Sequence, residues 1–226
     1  MREGGFFTRQ DLAFTAKSKT RRQGVSKETL RRIGPSAVKS MNTSARHPGM
    51  TPSGSRSPLV YVLGEAPGEQ EDRQGQPFVG PSGDMLREAI PKWGRKKTRF
   101  DNCVRTRPPN NRKPTSEEVE CFRNVVADDI ERAKPRLILG VGGVALDWML
   151  GQKQIKVFRG KFFPVRVKSH TCWFMPVVHP SFLMRIAEQR EDKVPGKEWL
   201  RFWKSDIERA YDFIEDEDNA ARVVTP

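Results

Sequence analysis

A chain of 226 residues can form one domain of ordinary size with flanking segments, and 36% hydrophobic content is low for a chain that packs from end to end. Its formal net charge of +13 points to a polyanionic partner, and the absence of any 18-residue apolar run excludes a membrane-spanning class. Three cysteines, with no signal-peptide pattern after Met1, speak against a disulfide framework and set a reducing, cytoplasmic location as the expectation.

The charge is unevenly placed. Residues 1–57 hold 12 Lys/Arg and 3 Asp/Glu, whereas residues 58–226 hold 29 and 25. Residues 1–57 therefore read as a basic, partly flexible extension, with a short helix over Ser26–Ile33 and a Ser/Thr/Pro/Gly-rich stretch from Pro48 to Pro58. Such a segment is either a solvated tail or an arm that follows nucleic-acid phosphates.

From Pro58 the pattern becomes strand, loop, helix. Leu59–Leu63 suits a buried parallel strand. The runs Gly64–Asp72 and Gln76–Gly83 then make a shaped loop at the sheet's carboxyl edge, where open α/β sheets bind ligands. This loop brings carboxylates (Glu65, Glu71, Asp72) close to the ring of Phe78, so that a planar, uncharged ligand can stack while a carboxylate faces the bond to be broken.

The pattern predicts a helix over Asp84–Lys92, a strand near Phe100–Arg105 and a helix from Thr115 to about Ala133, started by the cap candidate Thr115. Arg136–Val141 reads as a central strand, Gly143–Leu150 as a helix, and Lys161–Lys168 and Thr171–Val178 as further strands. A last helix spans Glu198–Phe213, with Trp199, Phe202, Trp203, Ile207 and Tyr211 on a mostly apolar face. The folded domain is expected over 58–214, followed by an acidic, flexible tail over 215–226. Alternating strands and helices imply a mostly parallel sheet covered on both sides.

Five groups of residues bear on chemistry. Gly140–Gly143 follows a strand but lacks the full glycine spacing of a dinucleotide loop, which favours tight helix–strand packing. Cys103, Cys121 and Cys172 show no CxxC spacing and no neighbouring His, so they read as isolated buried thiols with no metal. His179 differs from His47 and His170, because it closes an apolar strand at the same sheet edge as Glu65 and is a candidate electrophile or base. Asn102, at another strand end, offers a donor and an acceptor to a base's hydrogen-bonding edge. Backbone N–H groups around Gly80–Gly83 are placed to hold a phosphate.

Gly64–Asp72 with Pro77–Gly80, Asn102 with Arg107–Pro109, Asn111–Arg112 and Pro114–Thr115, and His179–Ser181 together resemble the uracil-DNA glycosylase superfamily, most of all its iron–sulfur-containing family 4. The likeness covers roughly Pro58 to Ala210. It implies a three-layer α/β/α sandwich around a central, mainly parallel four-stranded sheet. It also implies a monofunctional DNA glycosylase, monomeric, acting on double- or single-stranded DNA. Such an enzyme flips out a pyrimidine, by default uracil, and hydrolyses its N-glycosidic bond to leave an abasic site.

By the same resemblance, Phe78 stacks on the base, Asn102 reads its Watson–Crick edge, and His179 donates a hydrogen bond to O2. Glu65 positions or activates water, while Ala66, Gly68 and Glu71 complete the base pocket. DNA contacts fall to Pro81, Ser82, Gly83, Arg107, Arg112, Ser181, Phe182, Leu183 and Arg185, with an apolar wedge from Phe182, Leu183 or Met184 entering the duplex. Two departures stand out. No cysteine lies in Ile33–Met50, Thr106 stands where a ligand is expected, and Cys121 only roughly matches the last one, so the expectation is no cluster and no other cofactor. The large basic extension leaves open excision of a bulky modified pyrimidine, such as glucosylated hydroxymethylcytosine, in antiviral defence; the alternative of another class is a non-catalytic DNA-binding accessory role on the same fold.

Overall fold

The computed structural model describes residues 45–47, 49–189 and 195–216. The helix expected over 26–33 and most of the acidic tail lie outside the described residues.

Among the described residues, six strands form one sheet: β1 (Ser53–Gly54), β2 (Val60–Gly64), β3 (Thr98–Asn102), β4 (Leu137–Val141), β5 (Phe163–Val167) and β6 (His170–Val177), in the order β1-β3-β2-β4-β6-β5. The four inner strands are parallel, as expected. Antiparallel β1 and β5 extend the sheet at its two edges. The sheet therefore begins upstream of Pro58, since Ser53 pairs with Phe100 and Gly54 with Arg99. Every residue of β2 and β4 is buried, which is why these segments read as continuous apolar runs rather than alternating ones.

Among the described residues seven α-helices accompany the strands: α1 (Glu69–Gln74), α2 (Pro81–Ala89), α3 (Ser116–Ala133), α4 (Gly143–Leu150), α5 (Ile155–Phe158), α6 (Pro180–Gln189) and α7 (Pro195–Glu215). Side chains of β2 alternate between two apolar layers. Tyr61 and Leu63 pack with Phe122, Val126 and Ile130 of α3 and with Val144 and Leu146 of α4. Val60 and Val62 pack with Leu86 of α2, Leu183 of α6 and Trp203, Ile207 and Tyr211 of α7. The result is an α/β/α sandwich. No helix among the described residues is long and apolar enough to cross a membrane.

Local chemistry fixes the ends of these elements. Thr115 and Glu118 form a reciprocal capping box at the start of α3, the Thr115 N–H donating to Glu118 at 2.7 Å and the Glu118 N–H to Thr115 Oγ1 at 3.3 Å. Helix α2 starts at Pro81 rather than Asp84, because proline at a first helical position gives up no needed N–H. Strand β3 ends at Asn102, earlier than expected. Beyond it the Cys103 and Val104 N–H groups donate to the carbonyls of Gly64 and Glu65, so two strand ends leave the sheet side by side. Gly140 packs against the Phe174 ring and Gly142 against His179, consistent with close packing rather than a dinucleotide loop.

Candidate active site

The exits of β2, β3, β4 and β6 surround a cleft of about 770 Å³ at the carboxyl edge of the sheet. Its lining brings together Glu65, Ala66, Gly68, Glu71, Phe78, Pro81, Ser82, Gly83, Asn102, Arg112, His179, Ser181, Phe182 and Arg185. These come from distant stretches of chain, so that an acid, an amide, a ring and an imidazole share one cleft.

The wall after β2 is locked by its own side chains. The Glu71 carboxylate accepts from the backbone N–H of Gly68 at 3.1 Å and from that of Gly80 at 2.9 Å, tying the two ends of the loop together. Gly80, one of the N–H groups expected to hold a phosphate, is thereby already engaged. Phe78 sits in the left-handed backbone region at φ 59°, a conformation that costs a bulky residue about 1–3 kcal/mol. The Arg87 guanidinium holds it there, donating to Phe78 O at 2.8 Å and Pro77 O at 3.2 Å while lying 4.0 Å from the centroid of the Phe100 ring. Two glycines let this wall close. A Cβ on Gly64 would collide with Asn102 Oδ1 and the Phe78 ring, and one on Gly83 with the Phe78 backbone.

Asn102 is fixed from behind. Its N–H donates to Asp101 Oδ1 at 2.8 Å, and Asp101 in turn accepts from Arg105 at 2.6 Å and from the Tyr61 hydroxyl at 2.8 Å. Among the described residues the Asn102 side-chain amide has no protein partner, leaving its donor and acceptor facing the cleft. Among the described residues the Glu65 carboxylate likewise has no hydrogen-bond partner. Burial pushes that carboxyl above its ordinary value, against the opposing charges of Lys113 and Arg185.

His179 carries a defined tautomer. The Ser181 N–H donates to its Nδ1 at 3.2 Å and the Ser181 hydroxyl lies 2.8 Å from the same atom. Nδ1 is therefore the acceptor and the proton resides on Nε2. Burial, aided by the positive charge of Arg185, lowers the imidazole to about 4, so the ring is neutral at physiological pH.

Three residues expected at the DNA surface sit differently. Leu183 is only 5% exposed and packs into the core beneath α6, because the helix turns it away from neighbouring Phe182. Arg107 lies outside the cleft lining, bonded to Asn111 at 2.7 Å and 3.5 Å from Glu69. Arg112 lines the cleft but pairs with both carboxylate oxygens of Glu118, at 2.8 Å each. The sequence reading missed Arg87, for which composition gives no signal, and Lys156, carried to the cleft by the short helix α5.

The iron–sulfur cluster of family 4 does not fit these residues. The sequence supplies three cysteines, and Cys103 and Cys172 are buried within an apolar layer. Desolvation raises both thiols, Cys172 to about 12, away from the thiolate that binds metal. At the position of an expected ligand, Thr106 Oγ1 is buried with no hydrogen-bond partner among the described residues. No group of three or more His, Cys, Asp or Glu among the described residues is placed to hold a metal ion. The segment leading into the sheet is held by other means: the Arg46 and His47 N–H groups donate to the Asp72 carboxylate at 2.9 and 3.0 Å, and the Met50 N–H to Arg105 O at 2.7 Å.

Fold and cleft together define an α/β protein with a ligand site across the strand ends of its sheet. A family model described as the uracil DNA glycosylase superfamily matches residues 51–203. A type-4 uracil-DNA glycosylase of Thermotoga maritima is 33% identical over 165 residues, which cover 70% of this chain and 79% of the relative. One from Pyrobaculum aerophilum is 36% identical over 133 residues, covering 56% and 68%, and one from Archaeoglobus fulgidus is 31% identical over 146 residues, covering 62% and 73%. The chain belongs to the uracil DNA glycosylase superfamily, and by that membership it is an enzyme of the DNA glycosylase class.

Proposed function

We propose that this chain excises uracil from DNA after the nucleotide is flipped into the cleft. The observation that carries the reading is the presence of Glu65, Phe78, Asn102 and His179 in the lining of one cleft, with the imidazole proton on Nε2. A base in the stack cannot reach these groups, so unstacking has to be offset by contacts inside the pocket. The flipped uracil stacks on Phe78 and presents its N3–H and O4 to the Asn102 amide.

Breaking the N1–C1′ bond sends its electron pair to the pyrimidine, and negative charge accumulates on O2. The His179 Nε2–H donates to that oxygen. A neutral imidazole suits this task, since its N–H is too weak an acid to transfer the proton and instead stabilises the anion as a preorganised hydrogen-bond donor. Positive charge left on the sugar is stabilised by the ionised Glu65 carboxylate. Water attacks C1′ and loses a proton to Glu65, giving an abasic site, while the uracil anion takes a proton from solvent. Desolvation raises the basicity of Glu65 toward that role. Ser82 and Gly83 at the start of α2, with Arg185, contact phosphates beside the flipped nucleotide, a role supported by their position in the cleft lining. Phe182 is the side chain suited to fill the gap left in the duplex.

The test is a set of oligonucleotides carrying uracil, thymine, hydroxymethylated or glucosylated pyrimidines, treated with the protein and then with alkali. Alkali-labile breaks at uracil are expected. Breaks confined to the hydroxymethylated or glucosylated bases would move the substrate to bulky modified pyrimidines, and none at any base would reduce the chain to a DNA-binding module.

A further inference from the structure

We propose that the surface beside the cleft is a second nucleic-acid site, a ladder of rings and cations that holds unpaired DNA bases. The inference rests on the assignment of DNA as substrate. The ladder starts at the cleft rim, where Phe182 and Lys156 both belong to the lining. Phe182 meets Trp199 of α7 edge to face, with centroids 5.8 Å apart. The Lys156 ammonium lies 5.7 Å from the Phe182 ring and 5.9 Å from that of Trp199. One helical turn further, Phe202 continues the row, and the Arg159 guanidinium lies between the two rings, 5.7 Å from Trp199 and 5.6 Å from Phe202.

Among the described residues nothing covers the outer end of the row. Phe202 and Val157 are each 53% exposed, and Phe202 lies against the Arg159 guanidinium. Arg159 is also ion-paired with Asp206 at 2.6 Å, which fixes the guanidinium against the rings. Rings interleaved with cations suit bases whose flat faces are bare, because every base has a π-face and every nucleotide a phosphate. Duplex DNA hides those faces, so the site discriminates for single strands. Continuity with the cleft through two shared residues, together with positive charge, favours a nucleic acid over a protein occupant.

The experiment measures binding of labelled target-free oligothymidylate and of a matched duplex to the full chain, alongside single-turnover excision from a uracil duplex. Phe202→Ala, at an exposed position, should weaken single-strand affinity about tenfold, within the range for loss of one base–aromatic stack. Duplex affinity and duplex excision should stay within about twofold of the parent. Trp199→Ala, checked for intact folding by circular dichroism, should add to the loss. Unchanged single-strand affinity in Phe202→Ala would overturn the proposal, as would equal losses on both DNAs. Concentration-dependent self-association of the parent that Phe202→Ala abolishes would also overturn it, by making the patch a protein interface. Failure of the parent to excise any base, with single-strand binding still lost in Phe202→Ala, would sink the catalytic reading and leave the ladder standing.

Discussion

The two walls of the cleft are built by opposite strategies. The wall after β2 is braced from within: Glu71 ties two backbone N–H groups, Arg87 clamps the carbonyls around Phe78, and Gly64 and Gly83 allow contact too close for any side chain. The wall after β6 has one internal contact that matters to chemistry, Ser181 on His179 Nδ1, and leans on its opposite number through Ser82, which donates to Met184 Sδ at 3.6 Å. The first wall fixes shape and the second fixes a proton. Within the first, two carboxylates part company. Glu71 is committed to structure, whereas among the described residues Glu65 has no hydrogen-bond partner, and burial raises its carboxyl.

Substitutions separate these tasks. Glu65→Gln and His179→Ala, one on each wall, should slow single-turnover uracil release about 10²–10³-fold, as expected for a preorganised electrostatic group, with DNA affinity largely retained. Near-normal rates in both variants would remove the catalytic assignment from the two residues.

Arg87→Ala should have the next largest effect. Freed from its clamp, Phe78 can relax out of its left-handed conformation, and excision should fall roughly tenfold with a lower Tm. Arg87→Lys should recover only part of the loss, because an ammonium cannot reproduce the forked contact. A variant that lost stability but kept its rate and its preference for uracil over thymine would show that Phe78 does not depend on the brace.

The pH profile distinguishes the walls without mutation. Glu65 works as a carboxylate, so the rate should fall as pH drops through its raised value, and the Glu65→Gln variant should lose that limb. His179 titrates near 4, so no inflection is expected around the ordinary imidazole value of 6.5. A step near 6.5 that disappears in His179→Gln would mean that the ring is protonated at working pH. The smallest effect belongs to Ser181→Ala. It removes the hydroxyl but leaves the N–H that sets the tautomer, so a loss of no more than about fivefold is expected, smaller than for a full oxyanion donor.

Much of this arrangement was legible in the sequence because its key residues follow strand ends. β2 and β4 announced themselves as apolar, β-branched runs, and Glu65, Asn102 and His179 stand one or two residues beyond β2, at the end of β3 and just beyond β6. The start of α3 was readable from Thr115 and Glu118. Helix α1 was not, since Glu69–Gln74 is wholly polar and has no apolar period; the Gly68 N–H donating to the Glu71 carboxylate and a left-handed Gly75 at its end hold it. The two-residue β1 is too short to carry a pattern. Leu183 was misplaced because a string of apolar residues does not say which one faces the core until the helix phase is known. Arg87 escaped notice for a related reason: its role is to hold another residue's carbonyl, and nothing in a side chain's identity declares that.

The account is tested most directly by a crystal structure of the Glu65→Gln variant with a duplex carrying one deoxyuridine. It predicts the uracil outside the helix, stacked on Phe78, its N3–H and O4 on Asn102 and its O2 on His179 Nε2. A uracil still stacked in the duplex, or a flipped base lodged outside that cleft, would contradict it.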